Sequence, residues 1–345
     1  MDKHERRHHW TVFAASVAMM VVGLLLWLAA GTLFMIFAAV LLAVFLCGLT
    51  DLLARYTGMR RLGALAIVCL ILLLAIGVAA WFTASTLAEQ VQQFSEELPE
   101  AVKDLRKKLE AYPWGAFVAD ELKQVRTSAE DSEKTLSRAA GAASAVVETV
   151  TGAVVIGFLG LFLAIDPELY KRSLVRLVPP DRRERAREVL DGASMALWRW
   201  ILGRLVSMGA VAVGATLGFY LVGMPMALML GVFAGLVNFI PNLGPLFWLA
   251  PAMLLAFVQS PVQALYVGLL FMVVQTLEGY VITPAVQQRM VHLPPAVALS
   301  VQVIFGALWG FPGLALATPF AALSLVVVRK LYVEDALGDS PDETE

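Results

Sequence analysis

The sequence predicts an all-α, polytopic integral membrane protein, with full spans joined to two broken, re-entrant helical hairpins. Three observations lead there. Apolar and aromatic residues make up 59% of the 345 residues and charged residues only 16%, against roughly 25% charged in an ordinary soluble domain. Runs without a single Asp, Glu, Lys or Arg cover 10–50, 62–88 and 205–277, whereas about 20 apolar residues in helix cross a bilayer core. The longest of these runs is cut by clusters of Pro, Gly and Asn into pieces too short to cross alone. This composition excludes a disordered chain, a soluble nucleic-acid binder and a disulfide-stapled secreted domain. Net charge is only −2, so any asymmetry lies in where the charges sit.

The elements follow in order. Residues 1–88 read as three N-terminal spans, near 11–30, 32–49 and 62–88. Cys47 and Cys69 fall inside them and read as small buried hydrophobes. Residues 89–138 hold eight Lys/Arg and eleven acids and read as external amphipathic helices, broken around Pro113 and Gly115 and available for the membrane surface or a sister subunit. Residues 139–204 give a fourth span, to about 165, and a basic cytoplasmic connection with nine Lys/Arg against six acids. Residues 205–330 form the transport core, and 331–345 an acidic cytoplasmic tail. Arg55, Arg60 and Arg61 in the loop 51–61, the run "DRRERAR" at 181–187 and the pair Arg329–Lys330 all read as cytoplasmic by the excess of positive charge. This count puts both termini on the cytoplasmic side.

The core carries the argument for function. A span at 205–222 is followed by 225–258, whose two limbs are about 24 and 20 Å long at 1.5 Å per residue. Between them stands "NFIPNLGP", with Asn238, Pro241, Asn242, Gly244 and Pro245. Proline removes a backbone donor and glycine permits unusual angles. Such an interruption survives in hydrocarbon only where it is buried in protein or lines a polar cavity. Residues 225–258 therefore read as a hairpin entering from outside and returning there. Residues 262–282 make a full span, and 294–328 a second hairpin, broken at Gly310, Pro312 and Gly313, that enters from inside. The two hairpins resemble each other: Pro225 and Gly244 recur 69 residues later as Pro294 and Gly313, and Pro251 recurs 68 later as Pro319. Interrupted segments of opposite orientation mark the substrate site of many secondary transporters. The alternative is two unrelated proline-kinked hairpins.

Glu278 is the sole acid between Asp191 and Glu334. A charge at mid-helix costs about 2.5–3.5 kcal/mol on insertion scales, so function or a partner must retain it. Gln275, Thr283 and, from the second hairpin, Gln302 add polar groups around a path or binding site. Glu278 is the candidate for ion coupling. Its structural alternative is a hydrogen bond or a salt bridge to Arg199 or Arg204, both placed at the cytoplasmic boundary. No phosphate-binding loop, zinc motif or nucleophile elbow appears, so no catalytic residue, metal or cofactor is assigned and the chain does not read as an enzyme.

The stretches 222–257 and 274–323 resemble the autoinducer-2 exporter family of bacterial membrane proteins. The matching residues are Pro241, Asn242, Gly244 and Pro245, then Glu278, Gly279 and Pro284, then Leu293 and Pro295, with "WRWILGRLV" at 198–206 departing from the pattern at Arg204. The resemblance implies export of a small polar signalling molecule, autoinducer-2-like, by a secondary transporter that is ion-coupled or facilitative. It leaves open a sodium/proton antiporter and, from another class, a structural or assembly membrane protein. It also implies a homo-oligomer, with protons or sodium, a polar solute and the lipid bilayer as partners, and no nucleic acid.

Overall fold

The computed structural model describes residues 3–78, 81, 89–90, 135–282, 284, 294–335 and 337–338, with side chains from residue 29 in the first helix and from residue 150 in the third. The expected helices at 91–134, most of the segment 89–138, lie outside the described residues, as does Thr283. Every regular element among the described residues is helical. In chain order they are α1 (Lys3–Thr57), α2 (Arg61–Val78), α3 (Thr135–Ile165), α4 (Pro167–Arg176), α5 (Arg183–Val222), α6 (Ala227–Val237), α7 (Gly244–Gln259), α8 (Pro261–Leu277) and α9 (Pro295–Val328). Glu278–Ile282 and Arg329–Glu334 continue α8 and α9 as single π-helical segments.

The first two expected spans are one helix. Residues 11–30 and 32–49 lie together on α1, which runs unbroken for 55 residues. Gly31 alone does not turn a chain flanked by strong helix formers. No proline or polar cluster accompanies it, and its backbone is helical. The basic N-terminal flank and the loop after Thr57 therefore sit at opposite ends of one helix, and the expectation of a common side for them is corrected.

The remaining ends sort as the charges suggested. Arg61 donates to the carbonyls of Ala164 and Ile165 at 3.3 and 3.2 Å and pairs with Asp51 at 3.5 Å. This brings the start of α2 and the end of α3 together. Asp166 then accepts from the Leu169 amide and starts α4, bent 82° from α3. Lys171 pairs with Asp191 at 2.5 Å, fixing α4 to α5. Arg185 binds Glu334 at 2.7 Å and Asp335 at 2.9 Å, bringing the end of α9 to the same place. These contacts define a basic end of the molecule. At the other end, Gln263 donates to the Val222 carbonyl at 2.6 Å, so α5 finishes where α8 begins.

Hairpin 1, α6 and α7, starts and finishes at that second end. α6 has 11 residues, about 16 Å of rise, and cannot cross. It lies tightly on α5 because Gly231 and Gly235 face Thr216 and Ala212 with no room for a Cβ, the small-residue contact that brings membrane helices close. Behind it Trp248, fully buried, meets Phe219 and Phe271 at ring centroid distances of 6.0 and 5.2 Å.

Hairpin 2 is continuous by hydrogen bonding but not straight. Gly310 has φ 64°, ψ −146°, outside any helix. Gln302 and Thr318, 16 residues apart and about 24 Å apart on a straight helix, are joined by a 3.0 Å hydrogen bond. The rings of Phe305 and Phe320 lie 5.2 Å apart. The two limbs of α9 are thus antiparallel. The returning limb ends beside Arg185, so hairpin 2 starts and finishes at the basic end. The expected opposition of the two hairpins is what the fold contains.

Candidate functional site

The first hairpin's break is held in place by side chains. The turn closes on itself through Ile240 N to Val237 O at 3.1 Å, Gly244 N to Ile240 O at 2.9 Å and Leu243 N to Pro241 O at 2.7 Å. Asn242 takes φ 64°, a left-handed angle that Asn accepts more readily than most residues. Two carbonyls at the break receive side-chain donors: Arg204 Nε to Phe239 O at 3.2 Å and Gln302 Nε2 to Pro241 O at 2.9 Å. These bonds answer much of the demand for paired backbone groups at the break, where Asn238, Ile240, Gly244 and Pro245 are buried, Pro241 and Leu243 half-buried, and Asn242 exposed.

Immediately beside it sits Glu278, the first residue of the π-helical turn after α8. Single π turns are frequent at functional positions. Its Oε1 accepts from the Ser207 hydroxyl and from Asn238 Nδ2, the latter at 2.8 Å. Asn238 Nδ2 also reaches Ser207 Oγ at 3.1 Å. The Arg204 guanidinium stands 3.8 Å from the same carboxylate oxygen. Four side chains from α5, the end of α6 and the π turn thus form one buried polar cluster. Asn238 is fully buried and Glu278 is 7% exposed, so the cluster is shut from solvent. Two acceptors in it, Glu278 Oε2 and Asn238 Oδ1, are buried without a hydrogen-bond partner. The Asn238 orientation follows from its neighbours, because its amide nitrogen must face the carboxylate.

The expected site residues divide into two groups. Asn238, Glu278, Pro241 and Gln302 come together around the break, with Gln275 one turn before Glu278 on α8 and its Oε1 also buried and unmatched. Gly244 and Pro245 start α7 and are buried, Gly244 lying where a Cβ would collide with the Val237 carbonyl. Gly310 and Pro312 instead lie exposed at the tip of hairpin 2, beside α1, where Trp309 meets Phe34 at 5.1 Å. Gly313 is buried against the Phe305 carbonyl. Arg204 is not a boundary residue that reaches for water. Its side chain is 14% exposed and is the ionic partner of Glu278. Ser207 and Thr318 were not foreseen. Ser207 stands three residues after Arg204, which puts both on one face of α5, and that spacing was the available signal. Among the described residues no group of three or more His, Cys, Asp or Glu converges to hold a metal ion.

Residues 15–332 match the AI-2E family transporters. The chain is 25% identical over 299 residues, 81% of each chain, to "Putative transport protein YueF" of Bacillus subtilis. It is 27% identical over 298 residues to "Putative transport protein YhhT" of Escherichia coli, covering 82% of this chain and 79% of that one. It is 28% identical over 178 residues to "Putative permease PerM" of Escherichia coli, covering 51% and 50%.

Proposed function

The chain belongs to the AI-2E transporter family, and from that premise we propose that it is a secondary transporter exporting a small polar solute, autoinducer-2-like, past the tip of hairpin 1. The supporting observation is the buried Glu278 cluster at a hairpin whose first limb, 11 residues long, is too short to cross a bilayer. An ionised pair in that position is expensive for mere packing. The two unmatched acceptors, Glu278 Oε2 and Asn238 Oδ1, offer hydrogen bonds to a solute that donates. As shown, the cluster is shut. Transport then requires the tip of hairpin 1 to part from α5 and α8, exposing Glu278 and Asn238 to one face at a time. The basic end faces the cytoplasm in this reading, with the C-terminal tail on that side. Exchange of a monovalent cation for protons is the second reading. The fixed Arg204 cation beside Glu278 favours the solute over it, because a mobile cation would have to compete with a tethered one.

The test uses the purified chain in proteoliposomes loaded with autoinducer-2 and a pH-sensitive dye. Wild type should release the solute at a rate that Glu278→Gln lowers at least about tenfold, the effect of losing roughly 1.4 kcal/mol of interaction in the moving state. The double variant Arg204→Gln/Glu278→Gln should melt near wild type and remain inactive. Proton movement driven by a sodium gradient, without solute release, would instead support the antiporter. Neither flux in a well-folded protein leaves the assembly protein.

A further inference from the structure

Gln302 joins the two hairpins. It stands on the entering limb of hairpin 2 and is fully buried. Its Nε2 carries two hydrogens, and both are used. One goes to Pro241 O in the break of hairpin 1 at 2.9 Å, the other to Thr318 Oγ1 on the returning limb at 3.0 Å. The Pro241 carbonyl can only accept, so the amide nitrogen must face it. A single side chain thus ties both limbs of hairpin 2 to the tip of hairpin 1. Elsewhere the hairpins have little to do with each other: α9 packs along α5 and α1 and hardly along α6 or α7. They are also anchored at opposite ends, hairpin 1 where α5 meets α8 and hairpin 2 beside Arg185.

Packing alone does not call for an amide at this position. Gln302 Oε1 is buried without a hydrogen-bond partner, a cost that methionine, of similar length and shape, would not carry. What the amide supplies and methionine cannot is the pair of donors. Pro241 stands three residues after Asn238, whose Nδ2 holds Glu278 at 2.8 Å. Parting the tip from α5 and α8 therefore breaks the Gln302–Pro241 bond along with the Asn238–Glu278 bond. We infer that Gln302 is a positioning residue that latches the tip of hairpin 1 to hairpin 2 and holds the Glu278 cluster shut. A hairpin anchored at one end of the molecule thereby governs the opening of the hairpin anchored at the other. This rests on the parting of the tip that the transport reading requires. Gln302 acts through the Pro241 carbonyl rather than on the solute. The latch is one neutral bond, so it favours the shut state without locking it.

The test places a thiol under the tip. Ile240 is fully buried next to Pro241. Ile240→Cys is made on a Cys47→Ala/Cys69→Ala background, and its reaction with a water-soluble maleimide is timed in the full chain in nanodiscs without solute. Adding Gln302→Met should speed that reaction about fivefold, the shift expected from losing one ordinary hydrogen bond. Adding Thr318→Val, which removes the bond within hairpin 2 and leaves the one to Pro241, should not change the rate. Val267→Cys, at a fully buried position on α8, should react no faster with Gln302→Met than without it. Thermal melts check folding. If Ile240→Cys does not fold, hydrogen exchange of the amides of 238–244 gives the same reading on the native break. An unchanged rate in Gln302→Met overturns the inference. So does an equal acceleration at Val267→Cys, which would be general loosening, or in Thr318→Val, which would reflect the stability of hairpin 2 alone. Solute release by wild type with no acceleration in Gln302→Met sinks the latch and spares the transport reading. Acceleration in a protein that releases no solute does the reverse.

Discussion

The two hairpins solve the same backbone problem and put the solution to different uses. Each reverses at a residue with φ 64°, Asn242 in the first and Gly310 in the second, 68 residues apart. Each then presses a glycine, Gly244 or Gly313, onto a carbonyl of its entering limb, Val237 or Phe305, also 68 apart. The one-residue difference from the 69-residue offset of the glycines is absorbed in the break. Hairpin 1 leaves Asn242 itself exposed but sets the residues just before it, Asn238 and Phe239, against Arg204, Ser207 and Glu278. Hairpin 2 carries its turn to an exposed tip, with Phe311 68% exposed and aromatic edges from Phe34 and Trp309 beside it. A shared turn therefore does not imply a shared role. The polar chemistry belongs to what packs on the turn, and among the described residues it is the first turn that is packed against ionisable groups.

The largest way to separate the two is to unbalance the buried ion pair. Arg204→Gln leaves the Glu278 carboxylate without its cation at a site where both partners are well buried. Breaking such a pair costs about 3–5 kcal/mol. Removing both charges in Arg204→Gln/Glu278→Gln should recover most of that, because the desolvation cost goes with them. Thermal unfolding in detergent measures both. A single variant as stable as wild type would show that the cluster is wet and that hairpin 1 is no more charged in its interior than hairpin 2.

Next in size is the glycine contact common to both. Gly313→Leu and Gly244→Leu each place a side chain against a carbonyl with no space for even a Cβ. Overpacking of this kind costs about 1–3 kcal/mol. The stability losses should be alike, while solute release should fall further for Gly244, which packs directly on Val237 and Asn238 of the other limb. Equal loss of release at equal stability would move hairpin 2's tip into the transport machinery.

Sequence and structure agree where a rule is local. Prolines and glycines announce both breaks, because the missing donor at Pro241 or Pro312 acts on its own neighbours. Glu278 announces itself because an isolated acid in a 73-residue uncharged run's wake has no solvent to explain it. The failures are of two kinds. A continuous apolar stretch does not record how many times it crosses, so α1 was divided at Gly31 where the helix continues. Depth is also not written along a helix: α5 is 40 residues long, about 60 Å, and Arg204 sits far enough along it to meet Glu278 rather than the headgroups. Ser207 and Thr318 escaped notice because a lone hydroxyl in an apolar helix usually satisfies its own backbone. Here each instead answers a residue of another limb.

The smallest expected effect concerns how the hairpins are anchored. Hairpin 1 is tied at its ends by neutral bonds, Gln90 Oε1 receiving the Met229 amide at 2.9 Å and Gln263 Nε2 reaching Val222 O at 2.6 Å. Hairpin 2 is tied by charge. Arg185 meets Glu188, Glu334 and Asp335, and also donates to Lys330 O at 2.9 Å. Partly exposed pairs are worth about 0–1 kcal/mol each, and salt screens them. Arg185→Ala should therefore cost about 1 kcal/mol at low ionic strength and almost nothing at about 1 M salt, where the Debye length falls to about 3 Å. Hydrogen exchange gives the local reading. Amides of 326–334 should exchange faster as salt rises, and faster still in Arg185→Ala at low salt. Amides of 228–231 should not respond to either change. Equal salt sensitivity at both places would mean that the charged network does not hold hairpin 2, and that its returning limb stays on α5 through apolar packing alone.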